Sequence, residues 1–437
     1  MRIVIFHQHY LAPGQGGGSR FNELSRFWCQ AGHEVIVVAG SVNYSGKTKS
    51  EVNSWKLYAE EPPVDGTTHP GPRVWRCWVP NTYSGTYFER ALAFLGYMLS
   101  AAWVSFFLPR PDVVIATSPP LVAVLPAWVA SRLRSHRCPW IFEIRDLWPE
   151  SAITTGVLKK GSLLARGLYA LERFGAWSAD RINVLTPAFR TDLIERGLAA
   201  SEKIVFVPNG ADLEAFYPGP ADMKIRQEFG WGGRHVVLYA GAHGRANALD
   251  QLVEAAVLLR HRTDIVIATV GEGPERLRLA EEARQQGLTN ILFHGPQPKE
   301  KMPAIINSAS IGAAVLQRNP TFLTVYPNKV FDYMACAKPV LLAIDGVARQ
   351  LVCTEAEAGC FATPEDPAQL ARQILALVDN PMERMRLGVN GMRWVQANAS
   401  REQLAAQYLS ILEQMVADDP ASDTPTSAEP RARPAHR

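Results

Sequence analysis

The segment Thr324–Pro339 reads Thr-Val-Tyr-Pro-Asn-Lys-Val-Phe-Asp-Tyr-Met-Ala-Cys-Ala-Lys-Pro. Pro327 ends an extended stretch, and Asn328 is a good helix N-cap by residue type. Lys329 and Asp332 then stand one turn apart on one helix face. Such a helix start could hold a diphosphate and a ribose together. Free N–H groups and Lys329 would take the phosphates, and Asp332 the sugar hydroxyls. Taken alone, the same residues also describe a capped surface helix with an i,i+3 ion pair.

Other loops carry groups that suit the same chemistry. Gly241-Ala242-His243-Gly244-Arg245-Ala246-Asn247 follows an apolar run and opens a helix, so its backbone N–H groups and Arg245 could meet a diphosphate. His243 reads as a loop histidine. Gly271-Glu272-Gly273-Pro274 and Gly295-Pro296 each close a strand and could bring backbone against a nucleotide base, or could simply be tight strand-to-helix turns. Near the N terminus stands Gly14-Gln15-Gly16-Gly17-Gly18-Ser19-Arg20. Its glycines permit close approach to phosphate or sugar, or make a turn with no ligand. As a dinucleotide fingerprint it fails, because Ser19 replaces the third glycine and the second strand ends in Ala39-Gly40-Ser41 without an acid. There is no Walker-type phosphate loop. Glu143-Ile144-Arg145-Asp146-Leu147-Trp148-Pro149-Glu150-Ser151 leaves a buried strand. Trp148 could pack on a sugar face and Asp146 could position an acceptor hydroxyl. The alternative is an ion-paired loop, Arg145 with Asp146 or Glu150. Thr117-Ser118-Pro119-Pro120 ends another strand and is a candidate wall of the same cleft.

The elements that must position these loops alternate strand and helix. Short Val- and Ile-rich runs predict strands at Arg2–Phe6, Glu34–Ala39, Val74–Trp78, Asp112–Ala116, Trp140–Ile144, Arg181–Val184 and Ile204–Val207. A second set follows at Val236–Tyr239, Ile265–Val270, Ile291–Phe293, Ile311–Val315 and Val340–Ala343. Helical patterns lie between them, for example Phe21–Ala31 and Leu121–Arg134, with a last one near Arg401–Val416. The fold class is α/β, with two doubly wound halves whose ligands belong at the C-terminal ends of the strands. The expected division is residues 1–207 as an N-terminal domain, 208–222 as a linker and 223–400 as a C-terminal domain. Residues 401–417 form a helix packing back toward the N-terminal domain, and 418–437 a disordered tail.

The 437 residues exceed one core, and the 20% charged content with a net charge of +3 gives no case for nucleic acid. Six scattered cysteines form no C-x-x-C pair, so neither a zinc site nor a disulfide framework is indicated. The chain enters a strand at once rather than a signal peptide, so a reduced cytoplasmic enzyme is expected. Ala91–Leu108 carries no charge. A span there would put two strands of one sheet on opposite sides of a bilayer, so a buried helix or one lying on the membrane surface is expected.

Gly-Gly-Gly near the start, Pro-Asn-Gly-Ala-Asp at 208–212, Gly-Glu-Gly-Pro and Pro-Asn-Lys-Val-Phe-Asp-Tyr-Met-Ala together resemble glycosyltransferase family 4 over residues 1–416. The Asp-Leu-Trp-Pro loop makes the chain similar to the branch that builds bacterial surface polysaccharides, including the L-fucosamine transferases. The resemblance implies a GT-B fold, two Rossmann-like domains facing across a cleft. It implies retaining transfer of a sugar, an aminosugar from a UDP donor, to a lipid-linked or glycan acceptor. Such an acceptor would be a polyprenyl-diphosphate-linked glycan at the cytoplasmic face of the inner membrane. No cofactor and no metal would be needed. Arg245, Lys329 and Asp146 take the catalytic roles. Gly17, Gly244, Glu272, Gly273, Pro296, Thr324, Asn328, Val330 and Asp332 fall to the donor, and Gly16, Gly18, Arg145, Trp148 and Glu150 to the acceptor. Two departures stand out: the family's paired glutamates are Thr324 and Asp332 here, and the usual acceptor-loop histidine is matched by Asp146. An epimerase or phosphorylase-like enzyme on the same fold, or a non-catalytic binder, are the alternatives.

Overall fold

The computed structural model describes residues 1–12, 19–43, 46–47, 52, 55–61, 71–80, 87–133 and 137–419. The expected tail beyond 419 and the glycines Gly16, Gly17 and Gly18 lie outside the described residues. The Val- and Ile-rich runs form strands because β-branched side chains suit a sheet covered on both faces. In the N-terminal half these are β1 (Arg2–Phe6), β2 (Glu34–Gly40), β3 (Val42–Asn43), β4 (Gly46–Lys47), β5 (Tyr58–Glu60), β6 (Arg73–Cys77), β7 (Val113–Ser118), β8 (Trp140–Ile144), β9 (Arg181–Val184) and β10 (Ile204–Phe206). Eight of them make one sheet in the order β10-β9-β8-β7-β1-β2-β6-β5, while β3 and β4 pair as a separate short ladder. All pairs in the large sheet are parallel except the edge pair β5–β6.

The C-terminal half has β11 (His235–Ala240), β12 (Ile265–Val270), β13 (Ile291–His294), β14 (Ile311–Val315), β15 (Val340–Ala343) and β16 (Gly359–Phe361). They form a parallel sheet ordered β13-β12-β11-β14-β15-β16. Strand order reverses at β1/β7 in one sheet and at β11/β14 in the other, which is where crevices open at strand C-termini. The sequence reading had no β5 and no β16. Both are short edge strands of mixed polarity, without the apolar run that announces a covered strand.

Two chain crossings join the halves side by side. Ala211 N–H donates to Ala399 O at 3.0 Å and Arg401 N–H to Ala211 O at 2.8 Å. A Cβ on Gly210 would stand 2.1 Å from Ala399 O, so only glycine lets the two crossings touch. The helix Arg401–Ala417 then lies on the first sheet's core: Leu404, Tyr408 and Leu412 pack with Ile3, Ile5 and Phe21, and Trp28 Nε1–H donates to Ala405 O at 2.9 Å. Near the same junction Arg20 and Glu143 form a fully buried pair at 3.0 Å, with Asn183 donating to Glu143 at 3.1 Å. Glu143 is therefore a strut inside the sheet rather than a cleft acid.

No helix of the described residues is long and apolar enough to cross a membrane. Most of the uncharged segment, Ala91 to Val104, lies in the helix Tyr87–Val104, which buries Ala93, Tyr97, Ala101 and Val104 against the first sheet.

Candidate active site

The helix Asn328–Ala335 sits at the β11/β14 reversal because Tyr333 pins it there. Ala240 N–H donates to the Tyr333 hydroxyl at 2.8 Å, and a Cβ on Gly312 would meet the Tyr333 ring at 2.3 Å. The expected Asn328 cap is corrected: Pro327 occupies the N-cap position at φ −68°, ψ 125°, and Asn328 is the first helical residue with an exposed side chain. Proline's fixed φ already suits the extended cap geometry, so the helix starts one residue earlier than an asparagine cap would place it.

Lys329 is half-buried, and its Nζ lies 3.6 Å from the Tyr239 ring centroid. No ion pair reaches it among the described residues, and burial pulls its pKa down to about 7. The alternative reading, a surface ion pair with Asp332, is not what forms, because the two side chains enter different surroundings. Lys329 points at the loops after β11 and β12. A Cβ on Gly241 (φ +149°) would stand 2.7 Å from Nζ, and one on Gly271 (φ +145°) 1.9 Å from Gly241 O. The loops are then stitched together by His243 N–H donating to Glu272 O at 2.9 Å and Glu275 N–H donating to His243 O at 3.0 Å. Gly273 belongs to this contact, since a Cβ there would meet His243 O at 2.5 Å.

His243 is buried and its Nε2 has no hydrogen-bond partner. Burial lowers its pKa to about 4, with Lys329 adding to the effect, so it is neutral at pH 7. The sequence reading left it as a loop histidine. The Tyr239 hydroxyl, 2.8 Å from both Ala242 O and Asn247 Oδ1, fixes the aromatic floor under Lys329.

Asp332 is half-buried beside Glu23, Lys299, Arg401 and Asp212. Burial, then the Glu23 carboxylate, pushes its pKa up to about 7 against the pull of Lys299 and Arg401. Glu23 comes from the N-terminal half, in the helix Arg20–Gln30. It accepts from Ser19 Oγ at 2.6 Å and Arg401 Nε at 2.7 Å, and pairs with Lys299 across the cleft. Sequence reasoning missed this bridge, since an acid in a helix's first turn and a lysine in Pro-Lys-Glu-Lys carry no local signal of meeting.

The remaining donor candidates are spread along the rim. Thr324 turns inward: its Oγ1 donates to Thr321 O and its carbonyl accepts from Thr186 Oγ1, both at 2.7 Å. Val330 is core, with its N–H donating to Pro327 O at 3.1 Å. Glu272 is exposed, accepting from Gly273 N–H at 3.1 Å and pairing with Arg276 at 3.1 Å. Gly244 precedes the short turn Arg245–Asn247, rather than opening a long helix directly. Pro296 is exposed in the loop after β13. The Arg245 side chain is 90% exposed, 3.8 Å from Glu275, and not gathered with Lys329.

On the N-terminal side, Arg145 N–H donates to Ser118 O at 3.1 Å, bringing the β7 and β8 ends together. Asp146 accepts from Ser151 Oγ at 2.9 Å, and burial raises its pKa. Glu150 starts a short helix and accepts from the Tyr169 hydroxyl. Trp148 stands edge-on to Phe94 at 6.4 Å, and Phe94 edge-on to His9 at 6.4 Å. His7 and His9 are buried, and burial with Arg145 nearby keeps both neutral. Among the described residues, no group of three or more His, Cys, Asp or Glu is placed to hold a metal ion.

Two Rossmann-like halves, each built on a mainly parallel sheet and meeting across a cleft, define the GT-B class of glycosyltransferase. Residues 15–210 match the model described as "Glycosyl transferase 4-like domain" and residues 234–380 that described as "Glycosyl transferases group 1". The chain thus belongs to glycosyltransferase family 4, among enzymes related to polysaccharide biosynthesis. It is 25% identical to the putative colanic acid biosynthesis glycosyl transferase WcaI of Escherichia coli, over 77% of this chain and 81% of that one. It is 26% identical to the probable glycosyltransferase WbjE of Pseudomonas aeruginosa, over 54% of this chain and 58% of that one. Among solved structures, sucrose-phosphate synthase from Thermosynechococcus elongatus superposes with a TM-score of 0.71 at 19% identity, covering 96% of this chain and all 100% of that one. Anabaena HepE in complex with UDP-glucose gives 0.69 at 16% identity, covering 95% and 100%. These structural likenesses speak for the fold.

Proposed function

We propose that the chain transfers a sugar, an aminosugar from a UDP donor, with retention of configuration, onto a lipid-linked glycan acceptor in surface-polysaccharide synthesis. The observation that carries this reading is Lys329: a half-buried, ion-pair-free amine at a helix start, facing two interlocked glycine loops. That is a site made for a diphosphate. Binding there restores the charge that burial suppresses, and the charge stabilises the leaving diphosphate as its bond to the sugar breaks. Asp332, and with it the bridge from Glu23 to Lys299, lies at the ribose end. Arg245 reaches the outer phosphate from the rim. On the facing domain Arg145, Asp146, Trp148 and Glu150 order the acceptor, with Trp148 offering an aromatic edge to the sugar.

No cofactor or metal is part of the proposal; lysine and backbone N–H groups supply the positive potential. The donor phosphate itself accepts the acceptor's proton on the same face of the ring. The proposed setting is the cytoplasmic face of the inner membrane. HepE is solved with UDP-glucose and WcaI is described as a colanic acid biosynthesis enzyme, which supports a UDP donor and a polysaccharide setting. A screen of labelled nucleotide sugars, with a lipid extract of producing cells as acceptor and the anomer assigned by NMR, tests the reading. Transfer of a UDP-sugar with retention is expected; an inverted product or no transfer from any nucleotide sugar would defeat it.

A further inference from the structure

The helix Tyr87–Val104 is apolar on both faces, and only one face meets the protein. Gly96 brings it against the segment after β6, where a Cβ would stand 2.4 Å from Pro80, and Tyr97 donates its hydroxyl to Val38 O at 2.8 Å. That anchors the inner face. The outer face carries Leu92, Leu95, Leu99 and Trp103, spaced by three and four residues, and Phe106 follows just past the helix end, each between 38% and 59% exposed. A helix covered by water should be polar there. Helix Val124–Arg132 separates this stripe from helix Leu163–Ser178, which adds Leu163 at 84% and Trp177 at 74% exposure.

Charge distinguishes the possible occupants. Lys159, Lys160, Arg166 and Arg173 are exposed around the second helix and make no ion pair among the described residues. The nearby acids are turned inward, Glu172 onto Arg196 and Glu150 onto Tyr169. An apolar stripe with an uncompensated basic flank complements an anionic lipid surface, whereas a second copy would oppose like charge with like charge. The stripe also starts at the acceptor loop, since Phe94 of the same helix contacts Trp148.

We propose that this face docks on an anionic phospholipid bilayer, laying helix Tyr87–Val104 in the interface so that the cleft opens beside the lipid headgroups. The inference rests on the lipid-linked acceptor proposed above, and it names the surface that would present that acceptor. The test is flotation of the full chain with vesicles of phosphatidylcholine, with and without phosphatidylglycerol, beside its sedimentation velocity and its hydrolysis of a labelled UDP-sugar. Wild type should float with phosphatidylglycerol vesicles. Leu95→Glu/Leu99→Glu should weaken this about tenfold or more while donor hydrolysis stays within about twofold. Lys159→Glu/Lys160→Glu should remove the preference for phosphatidylglycerol. If the glutamate pair unfolds the chain, Leu95→Ser/Leu99→Ser replaces it. No flotation of wild type, or equal flotation of the folded variants, overturns the proposal. A wild-type dimer that Leu99→Glu makes monomeric, without vesicle binding, overturns it in favour of a second copy. Flotation reads no chemistry, so docking without any transfer would count against the function alone.

Discussion

Lys329 and Asp332 stand one turn apart and face opposite electrostatic problems. The empty fold holds Lys329's pKa near 7, below its ordinary value, so it disfavours the charged amine; that cost grows as pH falls from the ordinary lysine range toward 7 and is then constant. A bound diphosphate favours the charged form. UDP affinity should therefore fall as pH rises from about 7 to 9, by at most about tenfold per unit, as isothermal titration would show. Lys329→Met should flatten that slope, raise the melting temperature of the empty protein near pH 7 and abolish the stabilisation that UDP gives. Asp332 has the reverse sign. Its pKa is raised to about 7, so the empty fold loses stability from this group as pH rises from the ordinary carboxylate range through 7. If its carboxylate accepts ribose hydroxyls, Asp332→Asn should raise donor KM about 10–100-fold and spare kcat, because charged hydrogen bonds used equally in ground and transition states act as uniform binding. An unchanged donor KM in steady-state kinetics would leave Asp332 as a structural acid. The place of Lys329 at a helix start was legible because a lysine after Pro-Asn is a local pattern. Asp332's neighbours were not, because Glu23 and Lys299 reach it from distant segments.

At the scale of elements, the loops after β11 and β12 work as one piece. Gly271→Ala would push a methyl to 1.9 Å from Gly241 O, so the loops must part. A backbone clash allows no rotamer escape, and both a lower melting temperature and at least a tenfold loss of UDP affinity, about 1.4 kcal/mol, are expected. Unaltered UDP affinity in a folded Gly271→Ala protein would mean that the loop contact is only structural. Most elements could be read from the sequence. The runs Arg2–Phe6, Trp140–Ile144, Ile265–Val270 and Val340–Ala343 form strands at the same residues, since continuous β-branched runs admit little else. What escaped were the two-residue strands β3 and β4, the edge strands β5 and β16 set by their neighbours, and the start of the Asn328 helix, where proline geometry outweighed asparagine's capping preference.

Across the whole molecule, the two halves meet at paired crossings and at the Glu23 bridge. Arg401 is buried and relies on Glu23 and on Gly210 O, to which its Nη2 donates at 2.6 Å. Glu23→Ala would strand that charge, and a loss of about 3–5 kcal/mol in urea unfolding is expected. Lys299→Ala removes only the arm that spans the cleft. It should change stability by about 1 kcal/mol or less and show instead as a larger radius of gyration in solution scattering and a higher donor KM. An unchanged radius and KM would mean that the bridge does not hold the domains. The central claim is that a protein-borne positive potential, with Lys329 at its centre, carries the leaving diphosphate. The most direct measurement is turnover of the labelled UDP-sugar in EDTA by wild type and by Lys329→Ala. The account predicts full wild-type turnover in EDTA and a loss of about 10²-fold or more in the folded variant. Wild-type activity that disappears in EDTA and returns with Mg²⁺ or Mn²⁺, or a Lys329→Ala enzyme that turns over like wild type, would contradict it.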